Sequence, residues 1–487
     1  MENLALLTII LPFVGAVWVG LVKNESLFPK LAVVFAALAT VGALCVAQQW
    51  HSAAVAVLHY PLIRFGNTEI FGVTFDAVST LIGFAVVGLG LLIVLYSNGY
   101  LTVKNKEHAH APLPRFYAFL LVFIGAMAGV VYSSTLLGQL LFFEITGACS
   151  WALISYYQTP KAQSSAMKAL IITHIGAIGL YLAAAFLFSK AGTFEITALE
   201  RLDPASKTVV LFGVLFAAWG KSAQFPMQIW LPNAMEAPTP VSAYLHAASM
   251  VKVGVYIFAR AVMSAGEVPE IVGEVGLIMA MLTLVYGFVM YLPQTDLKRL
   301  LAYSTITQLA YIFIGLSLFA LGSKLALVAA VAYIFNHAFA KSLFFLVAGS
   351  LAYATGTRSM PRLQGVIQKM PLVGVGFGIA ALAIAGVPPF NGFFSKFPLF
   401  AAGFELGKSQ GWITAMMIIA LMESVATFVW LLYKFGQCVL GKPSEDVVNA
   451  QPLTFSMNLV LVILMVMSVC SAFIAAYWLE TPWLTQL

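Results

Sequence analysis

At 487 residues, 61% hydrophobic and only 9% charged, the chain lies far outside the soluble globular range of roughly half apolar and about a quarter charged residues. A mean hydropathy of +0.95 fits a polytopic membrane protein. The net charge of +6 follows from where Lys and Arg sit around apolar runs, and leaves no nucleic-acid footprint.

Apolar runs of about 17 to 25 residues, the length that crosses a bilayer as helix, fall at 4–22, 29–47, 77–98, 115–132, 134–157, 166–189, 208–224, 238–262, 271–291, 299–319, 324–353, 371–400, 411–435 and 454–479. They predict an all-α polytopic fold of fourteen spans with both termini on one face. The run opening at Leu4 has no basic segment before it and no small-residue cleavage site after it, so it is read as the first span. Between the second and third spans, residues 48–76 alternate apolar and polar positions and predict a small outer hairpin. Odd-numbered loops carry twice as many Lys and Arg as even-numbered ones, with Lys298 counted among the former and Arg260 among the latter. By the positive-inside rule the odd loops are cytoplasmic and both termini face outward. Cys45, Cys149, Cys438 and Cys470 fall within or beside apolar runs and never space as CxxC, so no iron–sulfur or zinc set is read and no cofactor is expected in this chain.

Two spans carry the same interruption. The seventh reads Gly220-Lys221-Ser222-Ala223-Gln224-Phe225-Pro226 and the twelfth Gly392-Phe393-Phe394-Ser395-Lys396-Phe397-Pro398, both G-x-x-x-x-F-P. Paired broken helices in two halves point to inverted repeats with a site near the midplane. The expected division is residues 1–114 for spans one to three with the hairpin, 115–265 for a first five-helix repeat (spans 4–8), 266–440 for a second, inverted repeat (spans 9–13), and 441–487 for the last span. Breaks at Pro226, Pro238, Pro388 and Pro389 free backbone groups that must face water or protein.

Eight ionisable residues lie inside these spans: Glu144, Lys221, His246, Lys252, His337, Lys341, Lys396 and Glu423. Each costs several kcal/mol in hydrocarbon, roughly 2.5–3.5 on insertion scales for a formal charge, and such groups mark ion or proton routes. Glu144 has no charged neighbour in its own span, so a partner from another helix is expected, and Lys221 is the candidate. His246 and Lys252 share the eighth span six residues apart, at different depths. His337 and Lys341 are spaced i, i+4 on one helix face, where two positive charges are costly together. A Lys396–Glu423 pair would mirror the first, although Glu423 could equally face a partner subunit. His174 is a further candidate with core packing as its alternative reading.

From GKSAQFPMQIWLPNAMEAPTPVSAYLHAASMVKVGVYIF (220–258) through TDLKRLLAYSTITQLAYIFIGL (295–316), NHAFAKSLFFLVAGS (336–350) and GVPPFNGFFSKF (386–397), the chain resembles the antiporter-like membrane subunits of complex I, Mrp-type cation/proton antiporters and membrane-bound hydrogenases. The resemblance implies fourteen helices with two inverted five-helix repeats. It makes Glu144 the fifth-helix glutamate, Lys221 the seventh-helix lysine, His246 the eighth-helix histidine, His337 and Lys341 the eleventh-helix set and Lys396 the twelfth-helix lysine, with Glu144–Lys221 a switchable ion pair. The chain departs from the family at Gln228, Asn233 and Ala237, where relatives carry His, Asp and Gly. Within the family, MENLALLTIILPFVGA and Glu423 in LMESVATFVW look most like component D of hydrogenase-4, in a formate hydrogenlyase-type complex. The D component of an Mrp-type sodium/proton antiporter and the M component of complex I are the alternatives, and a transport-inactive membrane anchor is the alternative of another class. The hydrogenase-4 reading implies other antiporter-like subunits, a small multi-span anchor and a peripheral arm of hydrogenase subunits as partners. Nickel–iron and iron–sulfur centres would sit in that arm, and the complex in the bacterial inner membrane.

Overall fold

The computed structural model describes residues 1–53 and 55–479, so residues 480–487 of the expected last segment lie outside the described residues. In chain order the elements are α1 (Glu2–Leu21), α2 (Phe28–Ala53), β1 (Leu58–Phe65), β2 (Thr68–Phe75), α3 (Ala77–Tyr100), α4 (Pro114–Tyr132), α5 (Leu136–Ile154) and α6 (Pro160–Ala191). Then come α7 (Pro204–Lys221), α8 (Trp230–Asn233), α9 (Thr239–Ala247), α10 (Met250–Met263), α11 (Glu270–Tyr291), α12 (Leu297–Ala320) and α13 (Lys324–Thr355). The chain closes with α14 (Val366–Lys369), α15 (Pro371–Ala385), α16 (Phe393–Gly407), α17 (Gly411–Val439), α18 (Glu445–Val448) and α19 (Phe455–Leu479). Strands β1 and β2 pair antiparallel and form the hairpin expected between the second and third spans.

Twelve segments among the described residues are long and apolar enough to cross a membrane as one span, counting α9 and α10 together. The two expected spans that fall outside this set are the seventh, α7 with α8, and the twelfth, α15 with α16. These are the two that the G-x-x-x-x-F-P pattern marks as interrupted. Helix starts follow local chemistry: the Asp76 and Ser79 side chains form a reciprocal capping box on α3, and Asp203 caps α7 ahead of Pro204.

Backbone groups freed at the breaks are paired within the protein, as a bilayer interior demands. At the seventh-span break, the Trp230 indole donates to Gly220 O at 3.0 Å and the Phe225 N–H donates to Thr283 Oγ1 at 3.1 Å. At the twelfth, the Asn391 N–H donates to Ser468 O at 2.8 Å and Ala385 O accepts from Lys396 Nζ at 3.4 Å. Pro238 opens α9, and the Ala237 carbonyl before it accepts from Lys298 Nζ at 2.7 Å. Close approach needs glycine at the twelfth-span break and inside α10. A Cβ on Gly392 would lie 1.9 Å from Ala383 O, and one on Gly254 would lie 2.4 Å from Ala218 O.

Three expectations are corrected. The eighth span is not one helix but α9 and α10, divided at Ala248 and Ser249, where the Ser249 hydroxyl turns back to Tyr244 O at 2.8 Å. Its sequence, AYLHAASMVK, holds no Pro or Gly at the break, so nothing local announces it. Arg260 lies in the last turn of α10, buried against Asp76 at the head of α3, and is no loop charge. Lys298 is likewise buried, in the first turn of α12.

Candidate functional site

Helices α9, α10, α12 and α13 form the buried centre, where the α9–α10, α12 and α13 segments are buried throughout their membrane-length windows. A helix buried on all sides can carry polar groups on any face, which is how α13 supplies Tyr333, Asn336, His337 and Lys341. His337 Nδ1 lies 2.9 Å from Lys252 Nζ of α10. His246 Nδ1, at the end of α9, lies 3.2 Å from Thr305 Oγ1, and Lys341 Nζ donates to Ser304 Oγ at 3.0 Å. The close basic contact is therefore Lys252–His337, between helices. The expected crowding of His337 with Lys341 along one helix is relieved because Lys341 turns to α12.

Lys221 ends α7 at the first break. The expected Glu144–Lys221 ion pair is not made: Lys221 Nζ donates to Phe143 O at 3.0 Å and Thr146 Oγ1 at 3.1 Å, on either side of Glu144, and sits over the Phe143 ring at 4.4 Å. Glu144 points the other way, and its Oε2 meets His174 Nδ1 of α6 at 3.0 Å. This pair is on the outer side of the bundle, with side chains 26% and 59% exposed, beside the apolar residues Ile145, Leu170, Ile171 and Ile175. His174 thus joins the site through Glu144 and is no core residue.

In the second half, Lys396 Nζ donates to Ser424 Oγ at 3.1 Å and to Ala385 O at 3.4 Å, the latter a carbonyl freed at the twelfth-span break. No direct Lys396–Glu423 ion pair forms among the described residues. Glu423 is buried within the chain, which removes the reading that it faces a partner subunit. Tyr311 Oη lies 2.6 Å from its Oε2, and Thr427 bonds its other oxygen. Tyr311 and Tyr333 are ring neighbours at 6.2 Å, and Tyr333 and His337 at 6.2 Å, so aromatic groups line the interval between the centre and Lys396.

Several buried polar atoms along this row have no protein partner: Gln139, Gln224 Oε1 and Gln228 Oε1 near the first break, Ser342 Oγ, and the Nε2 atoms of His246 and His337. Buried polar atoms of this kind are ordinarily completed by ordered water. The row has the polarity of a wet path through an apolar bundle.

Beneath the Pro238 break, at the ends facing the odd-numbered loops, Arg358 Nε pairs with Glu107 Oε1 at 3.2 Å and Asp296 Oδ2 at 3.4 Å, and Lys161 Nζ pairs with Glu236 Oε1 at 2.7 Å. Burial acts to lower the Arg358 guanidinium, but Asp296 and Glu107 beside it outweigh this and hold it above its ordinary value. One metal-like set exists among the described residues. His59, Glu69 and Glu195 bring ligand atoms within 4.8 Å of one another at the hairpin, apart from the axis.

A helical bundle with twelve membrane-length segments among the described residues, further spans broken at the two G-x-x-x-x-F-P sites and a buried row of bases is the architecture of a polytopic membrane protein. A family model described as NADH:quinone oxidoreductase/Mrp antiporter, TM, matches residues 133–425, and the chain belongs to that family. It is 36% identical over 398 residues to the A component of the Na(+)/H(+) antiporter of Alkalihalophilus pseudofirmus, covering 76% of this chain and 48% of that one, so it spans about half the length of the relatives it matches. Among solved structures it is similar to a chain of the Mrp complex from Dietzia sp. DQ12-45-1b, with TM-score 0.86 and 28% identity over 99% of this chain and 52% of that one. A chain of the membrane-bound sulfane sulfur reductase, an archaeal respiratory membrane complex, shares the fold with TM-score 0.85 at 24% identity, over 99% of this chain and 96% of the other.

Proposed function

We propose that the chain is a proton-translocating, antiporter-like subunit of a multi-subunit complex in the bacterial cytoplasmic membrane, with both termini outside. Protons move along Lys221, Lys252, His337, His246, Lys341 and Lys396, with Glu144 and Glu423 as the acidic ends. The Lys252–His337 contact carries this reading. Two bases 2.9 Å apart with no carboxylate between them cannot both be cationic, so a proton arriving at one displaces a proton from the other. In the proposed cycle Glu144 exchanges its His174 contact for one with Lys221, whose ammonium is held by Phe143 O and Thr146 Oγ1 on either side of it in α5.

Similarity to the A component of a Na(+)/H(+) antiporter supports assembly in an Mrp-type cation/proton antiporter, and that is the reading taken here. The sodium named for that relative is its own, and the cation exchanged against protons by this chain's complex is part of the proposal. The second reading is a redox-driven hydrogenase-4 or formate hydrogenlyase-type arm. It rests on the opening residues and on Glu423, and carries nickel–iron and iron–sulfur centres in partner subunits. An anchor without transport is opposed by the buried bases themselves, which are costly in a membrane interior and serve no anchoring role.

Gentle purification from the native membrane with mass spectrometry of the bound subunits separates the readings. An Mrp-type assembly returns only membrane subunits. Recovery of a nickel–iron hydrogenase large subunit with iron–sulfur proteins would instead establish the redox-driven arm.

A further inference from the structure

The hairpin region holds an imidazole and two carboxylates that the proton path does not use. His59 of β1, Glu69 of β2 and Glu195 after α6 bring one ligand atom each within 4.8 Å of one another. They come from segments that the backbone ties together through the turn between α4 and α5. The Ser134 N–H donates to Gly72 O at 3.0 Å, and the Ile196 N–H donates to Ser134 O at 3.0 Å. The Leu136 N–H donates to Phe194 O at 2.9 Å, and the Thr135 hydroxyl donates to Ile70 O at 2.8 Å. Main-chain pairing therefore brings Glu69 and Glu195 together, against the repulsion between two carboxylates.

Glu69 is the deepest of the three, with its side chain 4% exposed. Its Oε1 accepts from Ser134 Oγ at 2.5 Å and lies 3.0 Å from His59 Nε2, while its Oε2 has no hydrogen-bond partner among the described residues. Gly72 makes the room for this carboxylate: a Cβ there would collide with Glu69 Oε1 and stand 2.8 Å from Ser134 Oγ. The Glu195 side chain accepts only from the Thr193 hydroxyl, at 3.3 Å. No Lys or Arg among the described residues pairs with either carboxylate, and the one base beside them is His59. A buried carboxylate without a fixed cation is costly, and here a second stands beside it. A metal ion neutralises both and gives the free oxygen a partner.

We propose that His59, Glu69 and Glu195 bind a divalent transition-metal ion of the zinc class, which clamps the hairpin to the α4–α5 turn and to the segment after α6. The donor set selects the metal, since imidazole with carboxylates suits zinc and its first-row neighbours, whereas calcium and magnesium take oxygen ligands. Ligands at about 2.0–2.2 Å around a tetrahedral ion stand about 3.4 Å apart. The 3.0 Å contact between His59 and Glu69 opens only slightly to admit one. Ser134 orients Glu69 from behind, as hydrogen bonds to ligating carboxylates do in metal sites. His59, 37% exposed, marks the side from which the ion enters, and water takes the fourth position.

The test uses the whole chain in its complex, purified through a tag without histidines, stripped with a chelator and dialysed against zinc chloride. Metal analysis is expected to find one zinc more per chain in wild type than in His59→Gln or Glu195→Gln, both changes at positions with some solvent exposure. Calcium or magnesium at the same concentration is expected not to displace it. With zinc at about ten times its dissociation constant, local opening is suppressed about tenfold. Amide exchange across residues 58–75 and 193–196 is therefore expected to slow by that factor in wild type and to stay unchanged in both variants. Equal zinc content in wild type and both variants overturns the proposal. Retention of the extra ion in His59→Gln alone overturns it too, because an oxygen-only acidic site would then hold the metal. Zinc binding that leaves exchange in these segments unchanged removes the clamp.

Discussion

Single side chains in this protein are placed by what their neighbours can offer in a medium without water. Asp76 and Arg260 illustrate the cost of separation. They pair across α3 and α10 in a buried setting where removing one partner strands the other charge, at about 3–5 kcal/mol. Arg260→Met and Asp76→Asn singly are therefore expected to lower thermal stability of the purified protein strongly, and the double replacement to recover part of the loss. Additive single effects would show that the pair is not coupled. The eight ionisable residues within the spans were legible from sequence because charge inside an apolar run is conspicuous. Their partners were not, since Lys221 binds the residues flanking Glu144 and Lys396 reaches Ser424, choices made by helix rotation. Asp76 escaped notice because it stands just before its apolar run and reads as a cap, and Tyr311 because an aromatic in TQLAYIFIGL looks like packing.

Among elements, the interrupted helices are where sequence and structure meet best. Pro226, Pro388 and Pro389 lie in the two breaks and Pro238 opens α9, while the freed carbonyls at Gly220, Ala237 and Ala385 each receive a donor. The break between α9 and α10 stayed hidden because it is made by the Ser249 hydroxyl and by packing, without Pro or Gly. Glycine holds these elements at contact distance. Gly392→Ala places a methyl against the Ala383 carbonyl, and Gly254→Ala against Ala218 O and Ser222 Oγ. Overpacking of this kind costs about 1–3 kcal/mol. Both variants are expected to reduce the amount of folded protein recovered from membranes, measured by size-exclusion fluorescence of a tagged chain. Gly411→Ala, which meets nothing nearby, should leave it unchanged.

At the scale of the whole molecule, composition and span count placed the fold correctly, because a bilayer leaves few options to a chain this apolar. The assembly was less legible: the same buried bases suit several complexes, and the feature that distinguishes them lies in partner subunits. What the molecule does share across those readings is one buried row of bases with Lys252 and His337 at its centre. Lys252→Met keeps the bulk of the side chain in a fully buried helix and removes its proton-carrying nitrogen. The direct test is the pH gradient formed in inside-out vesicles by the intact complex carrying Lys252→Met, with assembly checked by co-purification of the same subunits. A fall in transport of about a hundredfold or more, to background, is predicted, as for the loss of a positioned proton-transfer group. An assembled Lys252→Met complex that builds the wild-type gradient would contradict a proton path through this axis.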